Sequence, residues 1–171
     1  MAGKEHAGIE HAHAELFRDA AWLLTPAEGQ DLAAARAGDY VALLKTIGAR
    51  VVALDPQRHD RICAWVSHAP QMLATALAAT LLDEFSGSSG NAGSLEDLRT
   101  IDGRTLGQMT RVASSSYAMW RDVALTNATN IEAVLLRLEQ RLAHLREHLR
   151  DAALREEFEQ ANRFAAAMGK E

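Results

Sequence analysis

The chain has 171 residues, of which 48% are hydrophobic and only 5% aromatic, and its formal net charge is −5. This length supports one principal domain with a buried core, and the abundance of alanine and leucine predicts helices. The absence of a basic stripe argues against a nucleic-acid partner, and no apolar run is long and uninterrupted enough to predict a signal peptide or a membrane span.

The first third of the chain predicts two strands and a short helix. The apolar run AWLLTP at residues 21–26 is typical of a strand that ends at a proline. The sequence GARVVAL at residues 48–54 either pairs with this strand or forms an extended connector. Between them, residues 38–47 predict a helix, which Gly48 closes in the position that glycine favours after a helix C-terminus.

Residues 55–84 predict one long helix at the centre of the fold. Asp55 can cap its N-terminus, and Pro56 suits the first helical position because its missing N–H would have no partner there. Apolar residues recur at helical spacing and alanines fill much of the rest, so we expect a largely buried helix in the middle of a bundle. Pro70 lies inside this helix and predicts a kink, since the carbonyl of Val66 loses its donor.

A small polar island lies beside the predicted kink and consists of Ser67, His68 and Gln71. One interpretation is structural: Ser67 satisfies the freed backbone, and His68 is a hydrogen-bonded core histidine. The other interpretation is a ligand pocket. The residues alone leave both open.

The remainder of the chain predicts a loop followed by further helices. Residues 85–94 form a flexible Gly/Ser-rich loop, and no G-x-G-x-x-G dinucleotide fingerprint occurs in the chain. Ser94 followed by Asp97 predicts a new helix start, and Gly103 and Gly107 are expected to interrupt the helical pattern.

The clearest helical periodicity spans residues 117–149, and residues 151–168 predict a final amphipathic helix. Within the first of these segments, an apolar seam steps by four and three residues, through Ile131, Leu135, Leu138, Leu142, Leu145 and Leu149. Such a seam is too short for an autonomous coiled coil. It therefore requires a partner from the same bundle or from a second subunit.

Candidate chemistry is sparse. His144 and His148 share a helix face, but no acidic third ligand is near them in the sequence, so no metal site is predicted. Cys63 is the single cysteine, which excludes a disulfide framework and favours a cytoplasmic protein. Arg111 follows an apolar stretch and is expected to point inward, where it needs an anion. The alternative is an ion pair of Arg111 with a carboxylate of this chain or contact with a helix end.

Four motifs occur in one order along the chain. They are M-A-G-x-E at residues 1–5, the pair His59 and Asp60, S-H-x-P at residues 67–70, and T-R-V-A-S at residues 110–114 followed by M-W-R-D-V at residues 119–123. In this order they resemble prephenate dehydrogenase, the oxidoreductase of tyrosine biosynthesis. The resemblance extends over nearly the whole chain to about residue 149.

The resemblance implies a mainly α fold: a helical-bundle dimerisation and substrate domain at residues 31–171, after a strand-containing remnant of a Rossmann nucleotide-binding domain at residues 1–30. It also implies a homodimer that belongs to an enzyme converting prephenate to 4-hydroxyphenylpyruvate with NAD or NADP. Arogenate is the alternative substrate, and tyrosine is a candidate inhibitor.

The resemblance further implies a set of substrate-binding residues. Arg111 matches the arginine that binds the substrate carboxylate, His68 and Ser67 lie in the pocket segment, and Glu5 is an acidic residue near the pocket mouth. Gln71 stands where the family carries a second histidine.

The catalytic histidine of the family would precede Met1, and the glycine-rich phosphate loop is missing. We therefore expect no catalytic, cofactor-binding or metal-binding residue here, and a truncated chain that is inactive alone. A stand-alone dimerisation or ligand-sensing module is the alternative.

Overall fold

The computed structural model of the chain describes residues 8–86, 93–101 and 103–169. The chain divides into two compact units, Met1–Ala128 and Thr129–Glu171. Helices dominate both units, which confirms the predicted mainly α fold. No helix in the described ranges is both long and apolar enough to cross a membrane.

The elements of the first unit begin with two 3₁₀ turns at Ile9–His11 and Ala14–Phe17. They continue with β1 (Ala21–Leu24), α1 (Ala35–Thr46), β2 (Arg50–Ala53), α2 (Pro56–Cys63), a π-helical segment (Ala64–His68), α3 (Ala69–Ser86), α4 (Leu95–Ile101), α5 (Arg104–Ala113) and α6 (Tyr117–Thr126). The second unit consists of α7 (Ala128–Glu147), apart from its first residue, and α8 (Ala152–Ala167).

The strands β1 and β2 pair in parallel, with Ala21 opposite Arg50 and Leu24 opposite Ala53. Parallel neighbours need a crossover connection, and α1 supplies it. Gly48 has φ of 83° directly after α1, a conformation that glycine adopts without a steric penalty, as the sequence predicted. The pairing of residues 48–54 with the first strand is therefore confirmed. The proposed domain boundary at residue 30 falls between the two strands and stays a prediction.

The long helix begins as predicted, because Asp55 Oδ1 accepts a hydrogen bond from the backbone N–H of Arg58 at 2.8 Å. Near Pro70 the helix contains a π turn, in which the N–H of Ala69 donates to the carbonyl of Ala64 five residues earlier. Proline cannot donate a backbone hydrogen bond, and the π turn shifts the bonding register just before it. Where the sequence predicted a kink at Pro70, the structure has a π-helical segment that ends just before this proline.

The expectation that this helix is buried on nearly all sides is wrong for a single chain. One side carries the buried residues Cys63, Ala64, Ala69 and Ala74, and α3 packs against α5 and α4. On the uncovered side, Trp65 is 46% exposed and Val66 is 69% exposed. A single chain does not supply enough elements to cover the whole apolar circumference.

The start of α4 forms a reciprocal cap. The Oδ2 atom of Asp97 accepts from the backbone N–H of Ser94 at 2.7 Å, and the Oγ atom of Ser94 accepts from the N–H of Asp97 at 3.2 Å. Gly103 precedes α5, as expected, but Gly107 lies inside α5, so its expected role as a helix breaker is wrong. A single glycine costs a helix only about 1 kcal/mol, and the packing of α5 on α3 offsets this cost.

The periodic segment at residues 117–149 is not one continuous helix, because Asn127 interrupts it between α6 and α7 with φ of −119° and ψ of 23°. Within the second unit, α7 buries Ile131 and Val134. Asp151 caps α8 by accepting from the N–H of Ala153 at 2.9 Å. Large apolar side chains of this unit remain exposed, namely Leu136, Leu142, Leu149, Phe158, Phe164 and Met168.

Candidate functional site

The break at Asn127 brings together residues that are far apart in the sequence. Asn127 is only 6% exposed. Its side-chain Nδ2 donates to the carbonyl oxygen of Asp60 at 2.9 Å and lies 3.2 Å from Nδ1 of His68. A buried amide that holds both a backbone carbonyl and an imidazole joins the end of α6 to α2 and the π segment. We call Asp60, His68, Trp120 and Asn127 the His68 cluster.

His68 ends the π segment and is half-buried. Its ring meets the indole of Trp120 edge to face, with ring centroids 5.7 Å apart and an interplanar angle of 89°. Burial lowers the pKa of His68, because the apolar surroundings disfavour the charged form, although the carboxylate of Asp60 opposes this effect. The imidazole is therefore neutral near pH 7 and can serve as a hydrogen-bonding group without carrying a charge.

Trp120 contributes a second donor to the cluster. Its indole Nε1 is buried and has no hydrogen-bond partner within the part of the chain that the structure describes. A buried N–H without a partner costs about 1–3 kcal/mol, so such groups are uncommon in folded proteins. The cluster therefore retains hydrogen-bonding capacity that its own side chains do not use.

His59 and Cys63 form a chain of contacts that extends from Asp60, a member of the cluster. The Cys63 Sγ lies 3.4 Å from Nε2 of His59, and Nδ1 of His59 lies 2.9 Å from Oδ1 of Asp60. Although this order matches that of a cysteine nucleophile with its base, burial and the negative charge of Asp60 both raise the pKa of the Cys63 thiol. A buried, protonated thiol is a poor nucleophile. The three residues thus act as a structural network.

A cleft of about 290 Å³ opens elsewhere in the first unit, between α3, α4 and α5. Its walls are mostly leucine and alanine, and its one charged residue, Arg99, contacts Glu96 at 3.3 Å. None of the site residues predicted from the sequence lines this cleft. Among the described residues, no group of three or more histidine, cysteine or carboxylate side chains is placed to hold a metal ion.

Residues 55–169 match the family described as "Prephenate dehydrogenase, dimerization domain". The match includes the π segment, Arg111 and the whole His68 cluster. The chain belongs to the prephenate dehydrogenase family.

Curated members of the prephenate dehydrogenase family align with most of this chain. The prephenate dehydrogenase of Bacillus subtilis (strain 168) is 32% identical over 140 residues, which cover 77% of this chain and 33% of the relative. The cyclohexadienyl dehydrogenase of Zymomonas mobilis is 31% identical over 136 residues, which cover 79% of this chain and 43% of the relative. The chain thus spans less than half the length of these two relatives.

Solved structures of the family share the fold. Prephenate dehydrogenase from A. aeolicus, in complex with hydroxyphenyl propionate and NAD⁺, aligns with a TM-score of 0.70 and 28% identity over 99% of this chain and 55% of its own. Arogenate dehydrogenase from Synechocystis aligns with a TM-score of 0.75 over 98% of this chain and 59% of its own length. Because the two sequences are only 23% identical, this similarity concerns the fold alone.

Three of the predicted substrate-binding residues lie within two helical turns. Ser67 and His68 are half-buried in the π segment, and Gln71 is buried in the first turn of α3. The Nε2 of Gln71 donates to Oγ1 of Thr75 at 3.2 Å. His68 is hydrogen-bonded within the fold, as the structural interpretation expects. The ligand pocket stays a prediction.

The other two predicted residues are placed differently. Arg111 lies in the last turn of α5 and is exposed, so the expectation that it points inward is wrong for a single chain. An exposed guanidinium keeps its hydration and needs no buried anion to offset a desolvation cost. Glu5 lies outside the described residues.

Sequence reasoning missed two members of the cluster, Trp120 and Asn127. Trp120 lies inside the M-W-R-D-V motif, so the motif that carried the resemblance already contained it. Asn127 stands in the middle of the most regular helical pattern of the chain. A polar residue with low helix propensity at such a position is the signal that could have predicted both the helix break and a buried polar contact.

Proposed function

We propose that the chain is the helical, substrate-binding and dimerising part of a prephenate dehydrogenase, with residues 1–30 as a remnant of the nucleotide-binding domain and residues 31–171 as the helical domain. The observation that carries the proposal is the His68 cluster, a neutral histidine held by a buried amide within the segment that matches the family. The complete enzyme would convert prephenate, or arogenate, with NAD or NADP.

Recognition of the substrate rests on two kinds of donor in this proposal. Prephenate is a dianion, and the planar guanidinium of Arg111 suits bidentate contact with a carboxylate. The neutral imidazole of His68 supplies a hydrogen bond without introducing a second charge. Ser67, Gln71 and Glu5 are the remaining proposed contacts.

The described residues do not fit the pyrophosphate of a nicotinamide cofactor. Such a site needs a strand, a glycine-rich turn and a helix N-terminus in succession. Here β1 is followed by the sequence TPAEGQ at residues 25–30, which lacks the required glycine spacing. We therefore assign no step of the hydride transfer to these residues and propose that the chain alone neither binds NAD or NADP nor turns over prephenate.

The partner in this proposal is a second copy of the chain. The matching family is a dimerisation domain, and α7 and α8 expose leucine and phenylalanine side chains that a monomer rarely leaves in water. A two-fold dimer would bury such surface on both copies at once. Sedimentation equilibrium of the chain should give twice the mass of 18.6 kDa. A monomer that persists at micromolar concentration would contradict the proposed assembly.

Calorimetric titration tests the binding role. We expect heat of binding on addition of prephenate or arogenate and none with NAD or NADP. Cofactor binding at micromolar concentration, or steady turnover by protein of verified intact mass, would overturn the proposal.

The second candidate is a stand-alone dimerisation or ligand-sensing module without chemistry. Tyrosine that binds tightly while prephenate does not bind would support this alternative. In-frame codons upstream for a histidine followed by proline, and farther upstream for G-x-G-x-x-G, would favour the enzyme.

A further inference from the structure

We infer that Asn127 is a positioning residue that holds His68 as the neutral tautomer whose proton is on Nε2. The structural part of this inference depends only on the contacts of the His68 cluster. Its consequence, that the Nε2–H group of His68 donates to an oxygen atom of the substrate, rests on the proposed function.

The orientation of the Asn127 amide follows from its contact with Asp60. A backbone carbonyl can only accept hydrogen bonds, and the carbonyl of Asp60 already accepts one from the N–H of Ala64. The Asn127 atom that lies 2.9 Å from this carbonyl must therefore be the amide nitrogen, since an oxygen there would be repelled. The same nitrogen carries a second hydrogen, which is available to Nδ1 of His68 at 3.2 Å.

The tautomer of His68 follows from that second hydrogen. A nitrogen that accepts a hydrogen bond must offer a lone pair, so Nδ1 is unprotonated and the single proton of the neutral ring lies on Nε2. The indole of Trp120 also packs edge to face with the imidazole ring, with the two ring centroids 5.7 Å apart. A flipped ring would place a carbon atom opposite Asn127 and lose the hydrogen bond. The cluster therefore fixes both the proton position and the ring orientation.

The fixed tautomer determines what His68 can bind. With its proton on Nε2, the ring offers a donor to a carboxylate, carbonyl or hydroxyl oxygen. In the other tautomer, Nε2 would present a lone pair and would repel an anionic oxygen. Asn127 therefore makes the site selective for hydrogen-bond acceptors without contacting the substrate itself. A purely structural role, in which Asn127 only anchors α6 to α2, would place no constraint on the imidazole proton.

Nitrogen NMR of the uniformly ¹⁵N-labelled chain distinguishes these two roles. Unprotonated and protonated imidazole nitrogens resonate far apart, and correlation with the ring protons reports the state of each nitrogen. The chain contains seven histidines, so the His68 signals are assigned by their loss in His68→Gln. At a pH where the ring is neutral, we expect Nδ1 of His68 to be unprotonated in the wild-type chain. A protonated Nδ1 would overturn the inference without any variant.

The variant Asn127→Asp then tests whether Asn127 determines which nitrogen of His68 carries the proton. A carboxylate can only accept, so we expect Nδ1 of His68 to become protonated in this variant. Asn162→Asp, at an exposed position of α8, makes the same chemical change and should leave the His68 signals unchanged. An Asn127→Asp chain that keeps its helical circular dichroism and also keeps an unprotonated Nδ1 would show that Asn127 does not set the tautomer.

Titration with prephenate tests whether the Nε2–H group of His68 donates a hydrogen bond to the substrate. We expect addition of prephenate to shift the Nε2 signal of His68 in the wild-type chain. At a pH where the imidazole of Asn127→Asp is also neutral, we expect the affinity of this variant for prephenate to be roughly tenfold lower. Prephenate that fails to bind the wild-type chain would contradict the proposed function and leave the tautomer assignment standing. Prephenate that binds equally well to the wild-type chain and to Asn127→Asp would contradict the role of the tautomer in recognition.

Discussion

The two units of the chain use their polar side chains in different ways. In the first unit, the buried amide of Asn127 bonds groups that lie 67 and 59 residues away in the sequence. In the second unit, the ion pairs span at most 16 residues and most of their side chains are exposed, as in His148 with Asp151 at 2.7 Å. Buried, long-range hydrogen bonds are costly to break, whereas exposed local pairs contribute little. Polar contacts therefore mark the candidate site in the first unit, and we propose that the exposed apolar side chains of the second unit serve assembly.

The largest effect on stability is expected for Asn127→Ala. This change leaves Nδ1 of His68 without its partner inside the fold and removes one of the donors to the Asp60 carbonyl. We expect a loss of about 1–3 kcal/mol in the free energy of unfolding, measured by urea denaturation followed by circular dichroism. Asn162→Ala on the exposed surface of α8 is the control and should change stability by less than about 0.5 kcal/mol. If the two substitutions lowered the free energy of unfolding equally, the polar contacts of the first unit would be no more important for stability than the exposed surface of the second.

A smaller effect is expected at the contact between α7 and α8. The side chain of Glu157 is only 13% exposed; it pairs with Arg141 and lies 3.4 Å from His144. We expect Glu157→Gln to lower the free energy of unfolding of the second unit by about 1 kcal/mol, because a partly buried ion pair contributes more to stability than a fully exposed one. Glu159→Gln, which changes the same charge at an exposed position of α8, should have no measurable effect. Urea denaturation of both variants would show whether this pair holds the two helices together.

The smallest effects are expected from pH, and they have opposite signs in the two units. Burial lowers the pKa of His68 in the folded chain, so this histidine binds a proton more readily when the chain is unfolded. The free energy of unfolding should therefore fall as the pH decreases through about 6.5, the ordinary pKa of histidine. The hydrogen bond to Asp151 raises the pKa of His148, so its contribution is present below about pH 6.5 and is lost as the pH rises through the folded-state pKa.

Unfolding free energies measured from about pH 5 to pH 8 would show both slopes. His68→Gln should remove the loss of stability at acid pH, and His148→Gln should remove the loss of stability at alkaline pH. If His68→Gln left the acid-side slope unchanged, another group would be responsible for it. The effect of His148 should be the weaker of the two because solvent screens an exposed pair.

The local features of the fold were predictable because their physical causes lie within a few residues. Asp55 caps the helix that Pro56 begins, and Gly48 ends α1, since each depends only on its own turn. Gly107 misled the prediction because tertiary packing of α5 outweighs the helix propensity of one residue. The exposure of Trp65 could not be predicted, because the sequence does not state how many neighbours one chain provides.

The candidate site was predictable only in part. The motifs indicated His68 directly, whereas its partner Asn127 lies 59 positions later. The position of Asn127 in a regular helical pattern suggests a buried polar contact but does not identify His68 as the partner. Arg111 was expected to point inward because its neighbours are apolar, but Arg111 itself is exposed while Thr110 and Val112 are half-buried. Hydrogen bonds between distant segments depend on the folded geometry, so the sequence can suggest the members of such a site but not their arrangement.

Substrate affinity of Arg111→Ala is the most direct test of the proposed function. Calorimetric titration with prephenate should show a loss of about 2–4 kcal/mol in binding free energy relative to the wild-type chain, because a charged hydrogen-bonding partner is removed. Arg163→Ala, at an exposed position of α8, should bind prephenate as the wild-type chain does. Equal affinities in all three chains, or no binding of prephenate to the wild-type chain, would contradict the assignment of this domain as the substrate-binding part of a prephenate dehydrogenase.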